Sequence, residues 1–186
     1  MREVRIVTVP FEFISIQAVE CLKCLNEHGV ITIKGIVSQE NAREYQMLAL
    51  DETWVIVKLI DEDGGEQIFF NGILTEMHIE KEGRVDTLSF TAKTGSYLLD
   101  LAGHIRTYQK ESYTYDQMLR DCLSPDSGEY IMLDKQGETV GNFFVQYKES
   151  DWEIIKKEKQ KCRILPKRIC WFMKWYHVRF TVWAIR

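Results

Sequence analysis

The chain has 186 residues, enough for one domain or one and a half, and a chain of this length hides about 70% of its unfolded surface. Its 45% hydrophobic and 28% charged residues are ordinary for a globular protein and exclude the disordered and fibrous classes. The 24 Lys and Arg against 28 Asp and Glu leave a net charge of −4, which argues against nucleic acid as a general partner.

Residues 2–9 alternate as a charged strand directly after Met1, so no basic and then apolar leader is readable and no signal peptide is expected. Two further strands, 15–25 and 30–37, flank the loop Asn26-Glu27-His28-Gly29. Ser38 is placed to cap a short helix over 40–50, with Ala42, Tyr45 and Leu48 on one stripe. The β-branched run 53–60 reaches the acidic turn Asp61-Glu62-Asp63-Gly64-Gly65, and a long strand, 66–80, comes next. Lys81-Glu82-Gly83 then turns the chain into the alternating strand 84–91. Strands joined by hairpins with one short helix predict a small antiparallel barrel or sandwich over residues 1–93.

The periodicity changes beyond it. Residues 97–101 suit one or two helical turns, and 104–109 are extended. Thr114 and Gln117 form a capping box for a helix carrying Met118, Leu119 and Cys122, which stops at Ser124-Pro125. A short strand, 130–133, and a second, 142–147, lead to Ser150-Asp151-Trp152-Glu153, a second capping box. Residues 94–155 therefore predict a smaller α/β unit.

The tail 156–186 differs in kind. Residues 151–186 hold ten Lys or Arg against three Asp or Glu, whereas 1–150 hold 14 against 25. Trp171, Trp175 and Trp183 fall within the last sixteen residues. Three readings compete: a strand pair packing on the body, a partner-binding or membrane-surface patch, or a truncated or frame-shifted end. The abrupt change of composition favours the last, with poor packing and easy proteolysis as its consequence. Lys174, His177 and Arg179 interrupt the apolar run, so no transmembrane helix is expected.

No motif carries chemistry. Cys21-Leu22-Lys23-Cys24 is a CxxC without the second pair a zinc ribbon needs, and on a strand its two thiols point to opposite faces. Cys21, Cys24, Cys122, Cys162 and Cys170 are expected as free thiols. The histidines His28, His78, His104 and His177 show no ligand spacing. Glu149, Asp151 and Glu153 suggest a glycosidase pair only until helix capping is considered. The acidic turn 61–66 lacks calcium-loop spacing. The expected catalytic, cofactor and metal residues are accordingly none.

Five stretches in order carry a resemblance. They are Phe70-Asn71-Gly72-Ile73-Leu74-Thr75, then Tyr97-Leu98-Leu99-Asp100-Leu101, then Arg106-Thr107-Tyr108-Gln109. Tyr113-Thr114-Tyr115-Asp116 is the fourth, and last comes the run from Phe143-Phe144-Val145-Gln146-Tyr147 to Glu149-Ser150-Asp151-Trp152. Over roughly residues 10–155 the chain resembles the amino-terminal portion of VgrG spike proteins of type VI secretion and the late control D-like hub proteins of contractile phage baseplates. The resemblance implies an α+β, mostly β fold: a tail-tube-like antiparallel split β-barrel followed by a small α/β insert unit. It implies a structural, non-enzymatic role connecting tail tube to spike, with tube and spike or baseplate proteins as partners. It also implies a homotrimer in a full-length parent that holds a second barrel, not recognisable in these residues. Such a protein is made in the cytoplasm and assembled into a phage tail or secretion apparatus. Two other classes stay open: a baseplate-associated cell-wall hydrolase using 94–155, and a small-molecule-binding β-barrel.

Overall fold

The computed structural model describes residues 4–24, 27–48, 53–108, 112–123, 130–132, 137–140, 144–159, 164–166 and 180–183. The chain divides into two compact units: Met1–Thr94 with Lys174–Arg186, and Gly95–Met173.

The first unit is one antiparallel sheet curled into a half-barrel. Its strands are β1 (Arg5–Val9), β2 (Ser15–Leu22), β3 (Val30–Val37), β4 (Trp54–Ile60), β5 (Glu66–Glu82), β6 (Val85–Thr94) and the late β11 (Phe180–Trp183). Their spatial order is β1-β4-β5-β6-β3-β2-β11. Alternation fixes which side is dry. Ile31 and Ile33 of β3 stand opposite Ala92 and Phe90 of β6, and all four are buried. The residues between them, such as Thr32 and Thr91, fall on the other face. Phe11 plugs the concave side, stacked on Phe90 at 4.6 Å and edge-on to Tyr45 at 5.0 Å.

Tyr45 comes from helix α1 (Gln39–Tyr45), which Ser38 caps by accepting from the Asn41 amide at 3.0 Å. The expected helix to residue 50 ends sooner. Met47 and Leu48 donate to carbonyls only three residues back, the tightened last turn of a helix end.

The first resembling stretch has a local cause. Phe70 and Leu74 are core residues. A Cβ on Gly72 would collide with the Lys93 carbonyl of β6, so only glycine lets the two strands approach there. Thr75 is the extra residue of a β-bulge, and its hydroxyl donates to the Thr91 carbonyl at 3.2 Å. The acidic turn before β5 closes with Asp61 accepting from the Gly65 amide at 2.6 Å and Gly64 at φ 80°.

The second unit holds a 3-10 segment (Gly95–Asp100), β7 (Gly103–Tyr108), α2 (Tyr115–Cys122), β8 (Tyr130–Met132), β9 (Phe144–Ser150), α3 (Asp151–Lys159) and β10 (Ile164–Pro166). β7 pairs antiparallel with β9, and β8 with β10. Leu99, Tyr108, Tyr115, Met118, Leu119, Trp152, Ile154 and Ile155 form its buried core. Both predicted capping boxes are present, Thr114 with Gln117 and Ser150 with Glu153. Residue 124, where α2 was expected to meet proline, lies outside the described residues, and α2 has already ended at Cys122.

The described parts of the tail are a helix end and two paired strands. α3 runs on to Lys159, Ile164–Pro166 pairs with β8, and Phe180–Trp183 pairs with β2. Cys162, Cys170 and His177 lie outside the described residues.

Candidate functional site

The densest polar arrangement lies inside the second unit, where β7, β9 and the start of α3 meet. Strand alternation puts Arg106 and Tyr108 of β7 on the same face as Gln146 of β9. Gln146 is fully buried, yet a buried amide is tolerated only if its groups are bonded. Its amide nitrogen donates to the Glu149 carbonyl at 2.9 Å and to Asp151 at 3.0 Å. Its carbonyl oxygen accepts from Arg106 at 3.2 Å and from Tyr108 at 3.5 Å.

Asp151 is the anion of the group. Arg106 grips it through both terminal nitrogens, the second at 3.4 Å, a two-pronged charge-assisted contact. His104 stands 3.4 Å from Oδ2, the oxygen that the second Arg106 nitrogen also reaches. Asp151 is also the first residue of α3, where a negative charge meets the positive end of the helix dipole. One residue earlier, Ser150 accepts from the Glu153 amide at 3.1 Å and donates to Asp100 at the end of the 3-10 segment.

A backbone irregularity delivers these side chains. The β7–β9 register slips between His104 and Ile105, leaving Lys148 as the extra residue, at φ 53°. Such a bulge re-aims the side chains just beyond it, those of Glu149, Ser150 and Asp151.

Electrostatics fit a closed structural cluster. Burial alone would weaken the Arg106 cation, but the hydrogen bond and charge of Asp151 hold its pKa above the ordinary value. Burial first, and then the Asp151 charge, push the Cys122 thiol up to about 11. Burial also raises the Tyr108 hydroxyl, which lies 3.9 Å from that sulfur. A thiol raised in this way is a poor nucleophile.

The residues singled out for chemistry are dispersed. Glu149 pairs with Lys157, Glu153 closes its capping box and Asp151 faces Arg106, so the three carboxylates have three separate structural partners. Cys21 is buried in the first unit's core, and Cys24 lies past the end of β2. Both are free thiols, as is Cys122. His78 lies 3.2 Å from Glu80 on the exposed part of β5. Among the described residues no three His, Cys, Asp or Glu side chains are placed to hold a metal ion, and no helix is long and apolar enough to cross a membrane.

Four of the five resembling stretches converge here: Asp100, then Arg106 with Tyr108, then Thr114 at its cap with Tyr113 5.4 Å from the Tyr108 ring, then Gln146 to Trp152. Gln109 and Phe143 lie outside the described residues. Sequence reasoning marked these stretches but not their common centre; it placed Cys122 only on its helix as a free thiol and gave no role to Lys148. No spacing rule links residues 40 apart.

No family model matches the sequence, and no curated protein matches it. Solved structures do. The prophage MuSo2 43 kDa tail protein from Shewanella oneidensis superposes with a TM-score of 0.60 at 8% identity, over 87% of this chain and 48% of that one. A type VI secretion component from E. coli, described as structurally similar to the T4 bacteriophage tail proteins gp27 and gp5, gives 0.54 at 11% identity, over 83% of this chain and 42% of that one. A chain of the Francisella PdpA-VgrG complex gives 0.56 at 12%, over 87% and 28%. This chain thus spans less than half the length of each of these three. It shares its fold with all three, and that shared fold is the mostly β architecture the sequence resemblance implied.

Proposed function

We propose that this protein is a structural component of a contractile injection apparatus, at the junction between tail tube and spike. The observation carrying the reading is the agreement of independent solved structures, a phage tail protein, a type VI secretion component and a chain of a PdpA-VgrG complex, over more than four fifths of the chain. The Arg106–Gln146–Asp151 cluster supports it from the other side. It consumes the resembling residues in holding one unit together, as an architectural motif requires.

In this reading residues 1–93 are the tube-like barrel and 94–155 the insert after it. Its partners are tube and spike or baseplate proteins. A chain extended to the length of its structural neighbours forms the three-fold ring, because closed symmetry keeps repeated contacts from running into filaments. The 186-residue chain alone is then a monomer or a weak oligomer, and it performs no catalysis.

Sedimentation of the 186-residue chain and of a version extended through its downstream reading frame tests the proposal, with co-purification against tube and spike subunits from the same locus. A trimeric extended chain that retains those subunits supports it. An extended chain that stays monomeric at high concentration and retains neither overturns it.

A further inference from the structure

The two outer edges of the first unit's sheet are finished differently. β1 is short, carries Arg5 and runs into Pro10, three features that blunt an edge. β2 is eight residues long. Its first half is broken by a bulge at Gln17, where the register to β3 slips. Its second half, 18–22, is regular, and Ala18, Glu20 and Leu22 are exposed there. That regular stretch is the part β11 covers: Phe180 stands opposite Cys21, Thr181 opposite Glu20, Val182 opposite Val19 and Trp183 opposite Ala18.

β11 comes from the basic, tryptophan-rich tail, and the chain passes through the whole second unit before reaching it. It is four residues long, so the ordering it requires nearly offsets what its ladder hydrogen bonds return. A strand of that kind can leave.

We propose that 180–183 is a self-cap on the β2 edge, and that the partner it excludes is the same edge of a second copy of this chain. Opposed residues of an antiparallel pair share a face. A two-fold pairing of β2 with β2 centred on Val19 would set Val19 against Val19 and Ala18 against Glu20, continuing the dry face across both copies. The reading stands apart from the proposed hub role, since it concerns only the lone chain.

The test begins with Thr181→Pro/Val182→Pro in the full chain. Successive amides of a strand point to opposite sides, so two neighbouring prolines remove the donor that faces β2 whichever one it is. Hydrogen exchange over residues 15–22 is expected to quicken at least tenfold while 85–94 stay protected, and the variant is expected to sediment as a dimer at a dilution where the parent chain sediments as a monomer. A peptide spanning 178–186 is expected to restore both. Unchanged exchange over 15–22 overturns the cap, and faster exchange without dimerisation overturns the partner. Should the prolines unfold the sheet, Ala18→Cys/Trp183→Cys decides instead. Oxidation is expected to crosslink these opposed positions within one chain, whereas a crosslink between chains, or none, overturns the proposal.

Discussion

The two units are built on different physics. The first is held by an apolar face read off a period of two, with Ile31, Ile33, Leu88 and Phe90 on it and Phe11 packed against it from the segment between β1 and β2; all five are fully or almost fully buried. The second has an apolar core as well, but beside it lies a buried polar cluster of Arg106, Gln146 and Asp151 that ties a two-stranded ribbon to a helix. An apolar sheet tolerates many sequences of similar volume, whereas a buried ion pair works only with both partners and their geometry kept. In the resembling stretches the first unit accordingly combines core residues with a close-approach glycine and a bulge, and the second combines core residues with buried polar side chains.

The largest expected effect belongs to the apolar side. Phe90→Ala removes the ring stacked on Phe11 and leaves a cavity, so denaturant unfolding is expected to show a loss of about 3–5 kcal/mol for the first unit. Hydrogen exchange in β7 and β9 should change far less. Equal loosening of both units would erase the contrast.

The polar side should fail through unpaired charge. Arg106→Met leaves Asp151, only 6% exposed, without its bidentate cation, and the expected cost is about 3 kcal/mol, the low end for a broken buried pair because Arg106 is itself partly exposed. Loss of protection should centre on residues 103–108 and 144–151 and spare β3 and β6.

Alkaline pH provides a third probe. The Cys122 thiol moves from its ordinary 9.0 to about 11 in the folded chain. The folded state therefore keeps its proton where the unfolded state has lost it. The stabilisation is complete below pH 9 and drains away as pH rises toward 11, by about 2–3 kcal/mol in all. Tyr108 and Tyr113, also raised by burial, add the same sign at higher pH. Cys122→Ala should flatten the fall between pH 9 and 10; an unchanged slope in chemical denaturation across that range would remove the thiol from the cluster.

The smallest effect concerns the corner itself. Ser150→Ala deletes the α3 cap and the bond to Asp100, and should cost about 1 kcal/mol. A loss within the noise would mean that Asp151 alone sets the helix start.

Legibility divides along the same line. Hairpins and both capping boxes could be read from local rules, because turns, caps and alternation act over two to four residues. Strand ends at 22 and 94 differ from those expected at 25 and 91, where the sheet register decides rather than the local pattern. The polar cluster could be read only as a resemblance. Gln146 meets Arg106 from 40 residues away, and nothing in either neighbourhood announces the other. The Lys148 bulge was hidden as well, since lysine carries no signature for φ above zero. The pairing of 180–183 with β2 was legible only as one of three readings of the tail, because four residues of ordinary strand composition do not specify an edge.

A double-mutant cycle measures directly whether Arg106 and Asp151 act as one structural unit. Unfolding free energies of the parent chain, Arg106→Met, Asp151→Leu and the double substitution give the coupling. The double variant is expected to be more stable than the two single losses together imply, by about 2–3 kcal/mol, since removing both charges leaves neither buried alone. Additivity within about 0.5 kcal/mol would contradict it.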